Sequence, residues 1–261
     1  MDRIGEKAIS LSGHIGEIIA YRSTRDIDVL IDGKYLREHI QYGNFKRGRF
    51  GSNFQPRICG VGFLGDGKYG SKNPDGSHTD AYRKWHDMLE RVYRKEELQK
   101  RPLYQVVTVC DEWLNFQNFA EWYYKNLIHT NEEIHIDKDI ICGEQKIYSP
   151  ETCCIVPRKI NVLFIREKKK YEINKNLPVG VQRQSGCINK YKASVCIEGK
   201  IIHKCGFNSP EEAFAWYKKE KEKNIKNIAN EYKDILPERT YNALMNYDVK
   251  PYPFTTEELA I

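Results

Sequence analysis

The sequence predicts an α+β chain assembled from small modules, and three observations carry that expectation. Apolar residues alternate with polar ones through residues 13–50, the period of strands packed on one face. Aromatic residues then recur at helical spacing between 79 and 127. Further on, three short strand-like runs lead into a helix with a complete start signal. A chain of 261 residues suits two or three small domains rather than one. A composition of 40% hydrophobic and 12% aromatic residues suffices for packed cores and is unlike that of a disordered chain.

The first module is expected at 1–56, small and barrel-like. Ile15, Ile18 and Ile19 begin it, and Ile27, Val29 and Ile31 alternate with polar neighbours. Asp32-Gly33 marks a hairpin, since both central residues of a tight turn need positive φ. Lys46, Arg47 and Arg49, with Tyr42 and Phe45, make a basic-aromatic end that reads either as a phosphate contact or as a solvated loop. Residues 60–78 are rich in glycine and turns; with no GxxxxGK[ST] they are a connector laid across the next segment, not a P-loop.

Thr79 caps a helix, with Asp80 favourable in its first turn and Tyr82, Trp85, Leu89 and Val92 on one stripe. Tyr104–Cys110 reads as a β-like run. Asn115 caps a second helix that buries Phe116, Phe119, Ala120, Tyr123 and Leu127. His135 to Asp139 alternates as a half-buried strand, and Gly143 breaks the pattern. Ser149-Pro150-Glu151 is a turn, and Cys153–Val156 is a second strand. Pro157 opens the helix that carries Asn161.

This strand–turn–strand–helix layout, with IDKDI, YSPETCCIV and a following Asn, resembles the ββα-metal core of HNH endonucleases of the phage and homing-endonuclease kind. The resemblance implies one divalent metal, Mg²⁺ or another, held by Asp137 and Asn161. It also puts Lys138 where that family has its general-base histidine, and Thr152 where it has the asparagine that orients the base. Thr152 and Asn161 are nine residues apart, which suits the family's loop-to-helix spacing. An attacking water needs a proton acceptor near neutral pH. A lysine beside Asp137 and Asp139 is expected to stay an ammonium, so the metal shell is half kept and the base is lost. His135 shares the strand face of Asp137 and is either a substitute base or a strand-edge histidine without a role. The stretches YRKWHDMLERVY and VTVCDEWLNFQNFAEWYYKN resemble the lead-in to such a core, so 57–170 is expected as one domain.

Charged residues at 166–170 and the segment 174–178 are read as a linker. The next domain, 171–250, has strands at Val179–Gln182, Tyr191–Ile197 and Lys200–Cys205, with a turn at Glu198-Gly199. Ser209, Pro210 and Glu212 form a capping box with proline at the first helical position. From GV through YKA to GFNSPEEAFAWY, this unit resembles the AP2 DNA-binding domain, whose sheet enters the major groove. The matching outward candidates are Gln182, Arg183, Lys190, Lys192, Lys200 and His203. Arginine suits guanine and lysine suits phosphate; the other reading is a structural sheet with solvated charges. The lysine-rich helix beyond, and a short one with Tyr241, Leu244 and Met245, are expected to dock together, followed by a tail at 251–261.

Forty-two Lys and Arg against 36 Asp and Glu give a net charge of +6, a mild basic excess that permits a nucleic-acid partner without demanding one. No apolar run approaches a membrane span, and residues 1–13 lack the apolar stretch of a secretory signal. The eight cysteines include no CxxC pair. Cys187, Cys196 and Cys205 recur on strands as buried thiols, while Cys142, Cys153 or Cys154 with His135 offers an alternative zinc set. Cytoplasm, the host's if the chain is phage-encoded, is the expected compartment. Two functions remain open: a double-stranded DNA-binding protein with a weakened metal-dependent phosphodiesterase core, or a non-catalytic regulator or counter-defence factor with a protein partner.

Overall fold

The computed structural model describes residues 3–100, 102–143, 145–164, 177–186 and 190–251. The expected linker up to residue 176, Cys187 and the tail from residue 252 lie outside them. The chain is α+β. It divides into two compact units, Met1–Gln105 with Val109–Tyr124, and Val106–Thr108 with Lys125–Ile261. This division runs through the stretch expected as one domain, 57–170. No helix among the described residues is long and apolar enough to cross a membrane.

The first unit opens with an antiparallel meander of β1 (Lys7–Ile9), β2 (Ile15–Ser23), β3 (Asp26–Ile31) and β4 (Tyr35–Ile40). Asp32 and Gly33, at φ 52° and 67°, make the tight turn between β3 and β4. One face buries Ile18, Ile27, Val29 and Ile31 against Phe45 and Phe50. Phe45, on α1 (Tyr42–Lys46), is therefore core rather than a nucleic-acid platform. Lys46 Nζ pairs with Glu6 at 3.0 Å, Arg47 donates to Asn44 at 3.0 Å, and the Tyr42 hydroxyl donates to Glu6 at 2.9 Å. The basic-aromatic end is largely satisfied internally.

Helix α2 (Asp80–Tyr93) begins where the Thr79 hydroxyl accepts from Tyr82 N, and it buries Ala81, Trp85, Met88, Leu89 and Val92. After α3 (Lys95–Lys100), Pro102–Val106 is a 3₁₀ turn and only Thr108–Val109 (β5) is strand. The expected run from Tyr104 is shortened because the chain coils from Pro102, whose fixed φ suits such a turn. Helices α4 (Asp111–Leu114) and α5 (Phe116–Lys125) meet at Asn115, whose Oδ1 accepts from Gln117 N at 3.0 Å. Trp85 donates from Nε1 to the Trp113 carbonyl at 2.6 Å inside an aromatic core with Phe116 and Phe119. Leu127, expected on the buried face, lies past the end of α5 and is exposed. The glycine-rich connector is pinned by Gln117, which accepts from Tyr69 N and donates to Tyr69 O. A Cβ at Gly62 would meet the Leu89 side chain at 2.3 Å, so a larger residue there would force Leu89 to move.

In the second unit β6 (Ile134–Asp137) pairs antiparallel with β8 (Cys154–Pro157), followed by α6 (Arg158–Asn161). β7 (Ile147–Tyr148) precedes the Ser149–Thr152 turn. A separate antiparallel sheet has the order β11–β10–β9, from β9 (Val181–Arg183), β10 (Tyr191–Ile197) and β11 (Lys200–Phe207). The Ser209 hydroxyl accepts from Glu212 N to start α7 (Pro210–Glu231), while the Glu212 carboxylate accepts from Asn208 N, one residue earlier than a standard capping box. The first half of α7 covers the sheet, with Ala213 against Val181 and Ala193. The second half carries Ile225, Ile228 and Ala229 into a core with Cys154, Val156, Ile160 and Leu244 of α8 (Glu238–Met245). One helix thus serves both the ββα element and the sheet, expected in separate domains.

Candidate functional site

The β6–β8 register sets His135 opposite Val156 and Asp137 opposite Cys154, and the two-residue spacing puts His135 and Asp137 on one face. Asp137 ends its strand as a local cap, with Oδ1 accepting from Asp139 N at 2.8 Å and Ile140 N at 2.9 Å. Burial, with the Asp139 carboxylate beside it, pushes its pKa up to about 6. Asn161, on α6, donates from Nδ2 to His135 Nδ1 at 3.1 Å. That contact makes Nδ1 an acceptor and puts the ring proton on Nε2, which lies 3.1 Å from Glu133 Oε1. His135 and Asn161 are therefore brought together. Asp137 and Asn161 carry side-chain oxygens, hard donors of the kind Mg²⁺ takes alongside water and phosphate oxygens.

Lys138 is buried, and its Nζ donates to Asp139 Oδ1 at 2.6 Å. An ammonium has three donors and no lone pair, so in this pair Lys138 cannot accept a proton from water. Thr152 is also committed. Its hydroxyl accepts from Ser149 N at 3.1 Å and donates to the Ile147 carbonyl at 2.7 Å. It closes the turn between the strands. The signal was present as a serine and a threonine three apart around Pro150-Glu151, side chains that bond nearby backbone.

Burial raises the Cys153 thiol to about 12 and lifts Cys154 as well. Cys142 Sγ faces the Glu151 carbonyl. Among the described residues, the sets of three His, Cys, Asp or Glu side chains that converge are Asp26, Asp28 and His39, and His86, Asp87 and Glu90. The alternative zinc set of Cys142, Cys153, Cys154 and His135 is not one of them. Cys196 and Cys205 are exposed, against the expectation of buried thiols.

The three-stranded sheet has one closed and one open face. Val181, Ala193 and Val195 point to α7. Ladder partners share a side, so Lys192 with Gln182 and Cys205, Ser194 with His203, and Cys196 with Ile201 form the open face. The Ser194 hydroxyl meets His203 Nδ1 at 2.8 Å across it. Arg183, opposite Tyr191, and Lys200, opposite Ile197, have the parity of the closed face and lie at its ends. Both are nonetheless exposed there. Lys190 precedes β10 and bonds Asn208.

No family model, curated protein or solved structure matches this chain.

Proposed function

We propose that the chain is a double-stranded DNA-binding protein of HNH-endonuclease-like, phage-type build, working in the cytoplasm, whose ββα element lacks a competent base. The observation that carries the DNA reading is the sheet with one face closed by α7 and the other open, where Gln182, Lys192 and His203 lie side by side. Lys192 is suited to phosphate, and Gln182 and His203 offer polar atoms to base edges. Arg183, Lys190 and Lys200 flank that face and supply charge. Asp137 and Asn161 would hold the metal, which when bound stabilises charge developing on a phosphodiester.

A second reading, a non-catalytic regulator or counter-defence factor on the same scaffold, is favoured by Lys138 being paired with Asp139 and Thr152 being tied into its turn. Cleavage of supercoiled plasmid with Mg²⁺ or Mn²⁺, against an EDTA control, separates the two. The expected outcome is weak or no nicking by the natural chain. Lys138→His with Thr152→Asn is expected to raise cleavage by ~10²–10⁴, the usual worth of a positioned base. Asp137→Ala should then abolish the gain. Nicking by the natural chain at a rate the double substitution does not improve would move the base to His135. No cleavage by the double variant with either metal would favour the non-catalytic protein.

A further inference from the structure

Helix α7 has a face that neither the sheet nor the ββα core uses. Its buried side is made by Ala213, Asn224, Ile225, Ile228 and Ala229. At about 100° per residue, the period of 3.6 per turn, Lys219, Lys223 and Lys226 project from the opposite side. The exposed positions from 213 to 230 are Ala215, Lys219, Lys223, Lys226, Asn227 and Asn230, with no acid among them. Glu222 is turned away, accepting from Val249 N at 3.0 Å and pairing with Lys218.

Several other basic groups among the described residues have acidic partners: Lys46 with Glu6, Arg22 with Asp28, Arg94 with Glu90, Lys159 with Glu231. Among the described residues, no acidic group lies within ion-pair distance of the three lysines of this row. Like charges three and four residues apart weaken a helix, so the row carries a small cost within the folded chain that a bound polyanion would relieve. The row climbs about 10 Å along the helix axis. Over that length a duplex carries about six phosphate charges, a match that an isolated small anion does not offer.

We infer that Lys219, Lys223 and Lys226 form a second contact surface for the phosphate backbone of nucleic acid, on the side of α7 away from the sheet. This rests on the DNA-binding reading and extends it. Because the sheet packs on the other side of α7, a straight duplex lying on the open sheet face does not reach the row. The two surfaces take different segments of backbone.

The test measures anisotropy of a labelled random-sequence duplex with the full chain over a KCl series. Lys219→Gln, Lys223→Gln and Lys226→Gln together remove charge from solvated helix positions, and circular dichroism checks that the helix content is kept. The expected result is a salt dependence shallower by roughly one unit per lysine, with the triple Lys→Arg variant restoring it. A triple Gln variant with natural slope and affinity overturns the inference while leaving the DNA reading standing, provided Gln182→Ala with Lys192→Gln and His203→Ala weakens binding. A natural chain that fails to bind duplex at low salt overturns both. Charge-dependent binding of polyglutamate but not of duplex through the row overturns the inference in favour of an acidic protein partner.

Discussion

Asp28 shows at the scale of one residue how a sequence of ordinary polar side chains becomes a fixed knot. Arg22 donates to its two oxygens at 2.9 and 2.5 Å, and the backbone N–H of His39 donates at 3.0 Å. The Arg22 hydrogen bond, with help from that backbone contact, holds the Asp28 carboxyl well below its ordinary range, at about 2. For an acid whose folded pKa is depressed, the unfolded chain binds the proton first, so stability falls as pH falls. The stabilisation is complete above about 4 and is lost as the pH drops through about 2. Asp28→Asn is expected to flatten that part of the acid-denaturation curve and to leave the curve above pH about 5 parallel to the natural one. Urea melts across this range check it, and an unchanged acid limb would remove the pair from the account. Neighbouring charges were visible in the sequence at Lys138 too. That its partner is Asp139, with Asp137 capped by two backbone N–H groups, was not, because the choice depends on how β6 ends.

At the scale of elements, start signals and turn signals were legible because they act over a few residues. Thr79, Asn115 and Ser209 cap the helices they were expected to cap. Asp32-Gly33 and Glu198-Gly199 adopt the positive φ that their turns require. The second half of α7 was expected to dock on its neighbour α8, but its further role in closing the ββα core was not legible. Ile228 is 4% exposed in that core. Ile228→Ala is expected to destabilise the second unit by about 2–5 kcal/mol, the usual cost of truncating a buried branched side chain. Because α7 also backs the sheet, hydrogen exchange should quicken at Val195 and at Val156 together. Faster exchange at only one of them would mean that the two parts fold independently.

At the scale of the whole chain, the shared helix decides what can be cut away. Residues 177–251 expressed alone would leave Ile225, Ile228 and Ala229 without Cys154, Val156 and Ile160. That fragment is expected to self-associate on a sizing column and to melt without cooperativity, whereas 125–251 should melt in a single transition. A monomeric, cooperative 177–251 would refute the common core.

What the sequence by itself determined is the α+β class, the helix starts, the tight turns and the stripes that become cores, all consequences of short-range sterics and hydrophobic period. Tertiary structure alone decided three things. Register and the extra residue at Gly206, where Tyr191 pairs with Phe207 but Lys192 with Cys205, helped to set which strand residues face outward. Folding of the Ser149–Thr152 turn took up the Thr152 hydroxyl. Packing of one long helix joined two elements into a single unit. Each depends on groups distant in the chain meeting in space, and a local pattern carries no record of which distant partner wins.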